Sequence, residues 1–148
     1  MTRSTYKPKI SKARFVVSPF TPQQMVEIGQ VCADSIKARL ERAENVYDQP
    51  AKPLSEGRRG TGYKRYKSRK APPAIRNWNL TGRTLRGMRV LRANENRAVI
   101  GFSDPVAAMR AAINNRRERQ FGVSPANWKD IIAAVKRIRF VRVERKAA

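Results

Sequence analysis

An α+β domain is what this sequence predicts. A long N-terminal helix and two shorter helices would pack on a small, mostly antiparallel sheet, with an extended basic loop and terminal arms projecting from it. Three observations point there. Apolar residues recur at helical spacing from Met25 to Ala43, two short β-prone runs flank an Asn-Glu-Asn turn, and a Ser-Pro pair opens a further apolar-periodic stretch near the C-terminus. The length of 148 residues fits one domain spanning 1–148.

Residues 1–20 read as an arm with a short strand. Arg3, Lys7, Lys9, Lys12 and Arg14 stand there with no acid, and Phe15-Val16-Val17 supply an aromatic and β-branched run. The long helix should occupy 21–45. Thr21 caps, Pro22 suits the first helical position, and Gln24 completes a capping box. Met25, Ile28, Val31, Cys32, Ile36 and Leu40 form its apolar face, with Lys37, Arg39, Glu41 and Arg42 mostly on the other side. Gly29 inside a helix costs up to about 1 kcal/mol relative to Ala and marks a close helix contact.

Residues 46–76 hold nine cations against two acids, with Pro50, Pro53, Pro72, Pro73 and three glycines. No core-forming period runs through them, so the segment reads as an extended basic loop. Arg58, Arg59, Lys64, Arg65, Lys67, Arg69 and Lys70 are its candidate contacts to nucleic acid or a protein partner. Tyr63 and Tyr66 are interleaved with them, the mixture that backbone and stacking contacts use.

The last section, 77–144, should hold a short helical turn at Leu80–Gly87 and a hairpin of Met88–Arg92 with Arg97–Phe102. Two helices begin at Asp104-Pro105 and Ser124-Pro125, and a final strand covers Phe140–Glu144. Val106, Met109, Ala112 and Ile113 form one apolar face, and Trp128, Ile131, Ile132, Val135 and Ile138 the other. Trp78, Phe121 and Trp128 are candidate packing or assembly anchors.

Charge bounds the function. Lys and Arg outnumber Asp and Glu by 33 to 11, for a net charge of +22, and there is no His. Such self-repulsion is relieved beside a polyanion or inside an assembly. The missing His removes the commonest general base and metal ligand. No enzyme activity, cofactor or metal is expected. Asp34, Glu41, Glu44 and Asp48 cluster in sequence, but the arginines among them favour surface ion pairs over a two-metal nuclease site. Cys32 is a small core residue that cannot form an intrachain disulfide. No apolar run is long enough to span a bilayer, so a soluble protein made inside the cell is expected.

The order of motifs from Leu80 to Ile132 resembles the virion morphogenesis, or tail-completion, proteins of tailed bacteriophages. The motifs are Leu80-Thr81-Gly82-Arg83-Thr84-Leu85, Val99-Ile100-Gly101-Phe102, Ala107-Ala108-Met109-Arg110-Ala111-Ala112, and Arg119-Gln120-Phe121-Gly122-Val123-Ser124-Pro125. The chain departs from the family pattern twice: Trp78 stands where Leu or Ile is usual, and Gln120 where Pro is usual. The resemblance implies a structural subunit of the head–tail connector or neck. It would form a homo-oligomeric ring around the DNA channel, contact portal, adaptor and tail proteins, and reside in the virion after assembly in the host cytoplasm. Duplex DNA would be met by non-specific electrostatics. The alternative is a small basic nucleic-acid-binding protein of ribosomal or nucleoid type, without sequence specificity.

Overall fold

The computed structural model of the chain describes residues 20–57, 62–76, 78 and 82–147. Their order is α1 (Pro22–Glu41), α2 (Tyr63–Lys70), α3 (Arg83–Gly87), β1 (Met88–Ala93), β2 (Ala98–Phe102), α4 (Pro105–Arg117) and α5 (Pro125–Ala147). The architecture is α+β, with five helices and one two-stranded antiparallel sheet among the described residues. The strand expected within residues 13–18 lies outside the described residues.

The N-terminus of α1 is built as its sequence requires. Thr21 accepts from the Gln24 amide at 3.2 Å, and the Gln24 side chain accepts from the Thr21 amide at 2.9 Å. The helix ends at Glu41, earlier than the expected 45. Ala43 takes a left-handed backbone at φ 57°, its amide bonds the Leu40 carbonyl, and the Glu44 amide bonds the Arg39 carbonyl. These bonds satisfy the last carbonyls and turn the chain away from the helix axis.

Ile28, Cys32, Ile36 and Leu40 of α1, Leu85 of α3, Met88 of β1, and Ile131 and Ile138 of α5 make the core. One face of the sheet lies against α1. A Cβ at Gly29 would sit 2.9 Å from both Ala98 Cβ and Val90 Cγ2, so the close contact at Gly29 is with the sheet and not with a second helix as expected. Gly29→Ala should therefore destabilise the fold by about 1–2 kcal/mol despite the helix propensity it gains, because overpacking wins. Urea denaturation measures this, and a variant at least as stable as wild type would refute the contact.

Three expectations need correction. The third helix is not short: α5 runs to Ala147 and, at 23 residues, exceeds the 20 of α1. The strand expected at Phe140–Glu144 is part of it. A five-residue alternation suits either structure, and the two-stranded sheet pairs only β1 with β2. The apolar face read on α4 is displaced. Its buried residues are Ala107 and Ala111, and a Cβ at Gly87 would come 3.5 Å from Ala107 Cβ. Small side chains bring α4 close to α3, which leaves Met109 and Ile113 outside.

On α5 the buried line is Asn127, Ile131, Ala134 and Ile138, so Trp128 and Ile132 face out. The expected hairpin is present, with a bulge between Val90 and Arg92. Asp104 caps α4 by accepting from the Val106 amide at 2.9 Å, and it also pairs with Arg83. The Arg83 guanidinium holds the Asp104 carboxyl below its usual range. Stability from that shift is present above the ordinary carboxylate range and is lost as pH falls through the lowered value.

Candidate nucleic-acid and partner interface

The segment expected as an extended loop contains a helix. α2 spans Tyr63–Lys70, and the chain before it folds back tightly: the Gly62 amide bonds the Glu56 carbonyl at 2.8 Å, and the Lys64 amide bonds the Ser55 carbonyl at 3.1 Å. A Cβ at Gly62 would lie 2.3 Å from the Glu56 carbonyl carbon, so only glycine closes this turn. Lys67, Arg69 and Lys70 occupy the last helical turn, where the helix dipole favours cations.

The seven candidate contact residues do not form one surface. Arg58 and Arg59 lie outside the described residues. Lys67 is the clear correction: it is 2% exposed and its ammonium donates to the Ile75 carbonyl, so it ties α2 to the following turn. Burial pushes its pKa down. Lys64 pairs with Glu56 at 2.7 Å. Arg65, Arg69 and Lys70 are exposed and make no ion pair among the described residues. Tyr63 and Tyr66 stand exposed beside them with ring centroids 6.3 Å apart. A depression of about 300 Å³ is lined by Glu56, Lys64, Arg65, Ser68 and Ala74. Among the described residues this patch offers three cations without an ion pair and two aromatic faces.

The anchors divide in the same way. The Trp78 ring packs edge-on against Phe121 with centroids 4.7 Å apart, and Phe121 packs edge-on against Phe102 at 5.2 Å. Trp78 holds a left-handed backbone at φ 61°, costly for a bulky residue and sustained by its surroundings. One of these is Gln120, whose side-chain oxygen accepts from the Trp78 indole at 2.8 Å. Trp78 and Gln120 are thus hydrogen-bonded to each other. A proline at 120 could not accept that indole, and a Leu or Ile at 78 would not offer it. Trp128, by contrast, is 54% exposed and anchors nothing in this chain's core.

The polar centre of the molecule was not legible in the sequence. Arg39, placed by helical spacing mostly away from the apolar face, is 0% exposed. Its guanidinium donates to Asn127 Oδ1 at 3.1 Å and to the carbonyls of Glu44, Gln120 and Gly122 at 3.1, 2.7 and 2.9 Å. Burial lowers its pKa, and the nearby Asp48 and Glu44 charges oppose the shift. Asn127 continues the network: its amide nitrogen donates to Ser35 Oγ at 2.8 Å, and its oxygen accepts from the Ser124 amide at 3.1 Å. Ser35 in turn donates to Asp130. One side chain of α1 thereby fixes the segment joining α4 to α5 and the start of α5. The run of Arg39, Arg42 and Glu44 looked like surface pairing, which describes only Arg42 with Glu44 at 3.0 Å.

The acidic residues are dispersed. Asp34 pairs with Lys37 at 3.4 Å and accepts from Gln30, and Asp48 accepts from the Ala126 amide at 2.9 Å. No group of three or more His, Cys, Asp or Glu able to hold a metal occurs among the described residues. Cys32 is buried, and burial pushes its thiol pKa up. Among the described residues no helix is long and apolar enough to cross a membrane.

Among the described residues, two apolar pairs are exposed on separate elements. Met109 (56% exposed) and Ile113 lie one turn apart on α4, and Trp128 and Ile132 one turn apart on α5. No family model, curated protein or solved structure matches this chain.

Proposed function

We propose that the protein is a structural subunit of a tailed-phage head–tail neck, a tail-completion protein that works as a homo-oligomeric ring around the DNA channel. The observation that carries this reading is the presence of two different uncovered apolar pairs on two different helices. Unlike patches that meet head to tail generate rings when the rotation closes, whereas one self-complementary patch gives a dimer. In the ring, Met109 and Ile113 of one copy seat against Trp128 and Ile132 of the next. The net charge of +22 is then carried beside the polyanion in the lumen. The work of such a ring is adhesion and passage, with no covalent step. Portal, adaptor and tail proteins are its other partners, and the virion is its place. The order of motifs from Leu80 to Pro125 supports the same reading.

A small basic nucleic-acid-binding protein accounts for the charge equally well and leaves the two apolar pairs without a use. Gold-labelled antibody against the chain, applied to particles of a phage that encodes it, tests the proposal. Label at the head–tail junction is expected. Label confined to host nucleoid or ribosome fractions would replace the neck reading with the second one.

A further inference from the structure

We propose that the outer face of the β1–β2 ribbon grips the phosphate backbone of duplex DNA through Arg89, Arg92 and Arg97. Residues 83–104 hold five arginines and two acids, Glu95 and Asp104, of which Asp104 pairs with Arg83. The sheet decides where they point. Side chains alternate across a strand, so Arg89 and Arg92, three apart, would ordinarily face opposite sides. Arg92 would then aim at α1 beside Met88 and Val90.

The bulge prevents this. Val90 pairs with Ile100, but Arg92 pairs with Val99, so one extra residue, Leu91, is inserted and the phase of β1 reverses. Ala98 and Val90 lie against Gly29 of α1, which fixes that face as the inner one. Arg89, opposite Gly101, and Arg92, opposite Val99, therefore share the outer face. Leu91 folds over Gly101, where a Cβ would come 2.7 Å from Leu91 Cδ1. Arg97 follows at the hairpin turn.

All three arginines are exposed, and none makes an ion pair among the described residues. Val99 and Gly101, which face them on β2, carry no charge. Arg89 and Arg92 are borne by a paired strand backed by α1, so little ordering is needed on binding. A two-stranded ribbon also fits the major groove, which is about 12 Å wide. An acidic protein surface would satisfy the charges, but a line of cations along the outer face of a ribbon suits a phosphate chain better.

The inference rests on the proposed function only in taking duplex DNA as the polyanion. It is tested by fluorescence anisotropy with the full chain and a labelled random-sequence duplex over a salt series. The triple variant Arg89→Gln, Arg92→Gln, Arg97→Gln should lower the slope of log affinity against log salt by about 2–3, at roughly 0.9 for each phosphate no longer neutralised. Affinity at low salt should fall by on the order of 100-fold or more. The triple change to Lys should keep most of the slope, which separates charge from folding. A Gln variant with the wild-type slope would overturn the inference and leave the ring reading standing. Wild-type protein that prefers polyglutamate to duplex would overturn it in favour of an acidic protein partner. Sizing of the same variants reads assembly separately: an intact oligomer with lost DNA binding is the expected pair of results.

Discussion

Arg39→Met should cost about 3–4 kcal/mol of folding stability, the largest effect expected of any single substitution here. Methionine keeps most of the side chain's volume, so little of the loss comes from a cavity. What disappears is the donor to four acceptors: Asn127 Oδ1 and the carbonyls of Glu44, Gln120 and Gly122. A buried carbonyl stripped of its partner costs on the order of 1 kcal/mol or more. Replacing a whole buried polar pair by apolar groups is often harmless, but this variant removes only one side of the network. Arg39→Lys keeps the charge and reaches fewer acceptors, so it should fall between the two. Urea unfolding followed by circular dichroism measures both. A Met variant as stable as wild type would mean that the segment from Gln120 to Asn127 is held by its own contacts, with Arg39 a passenger.

The second large effect is on assembly. Met109→Asp and Trp128→Asp should each abolish the oligomer while changing monomer stability by only about 0.5 kcal/mol, because both side chains are exposed. A carboxylate placed in an apolar contact must be desolvated without a partner, which association does not offset. Mixing the two variants discriminates the geometry. Each retains one intact patch, so a head-to-tail contact predicts that the mixture forms a dimer of unlike variants and stops there. A contact of α4 with α4 would instead let Trp128→Asp associate with itself. Light scattering behind a sizing column reads these states directly. Oligomers unchanged in both single variants would remove the proposed interface.

How legible was this molecule in its sequence? The parts set by local chemistry could be read. Thr21-Pro22-Gln23-Gln24 and Asp104-Pro105 mark helix starts through capping and proline geometry, which act within a few residues. The hairpin around Asn94 is local in the same sense. What could not be read depended on tertiary partners. Arg39 sits within the run of α1 and looks like any surface cation. Only the approach of Gln120, Gly122 and Asn127 from more than 80 positions away buries it. A cation next to the last apolar residue of a helix, followed by a chain reversal, was the available hint.

Helix α2 was hidden because it has no apolar stripe. Lys67 is its one buried residue, and a lysine does not register as core. The apolar face of α4 was misread because Ala107 and Ala111 lie inward and the larger Met109 and Ile113 outward. Hydrophobic size favoured the wrong face. A core built on Ala against Gly87 permits close backbone approach, which size-weighted reading does not see. Among the candidate contacts, Lys67 was misplaced for the same reason that α2 was missed. The arginines of β1 were overlooked because a bulge decides their side, and a bulge leaves little trace in sequence.

If neighbouring copies cover what this chain leaves exposed, native mass spectrometry of the full chain at micromolar concentration, with and without added duplex, should reveal it. One discrete closed oligomer above a dimer is expected, stabilised when DNA is present. A monomer that stays monomeric in both conditions would contradict it.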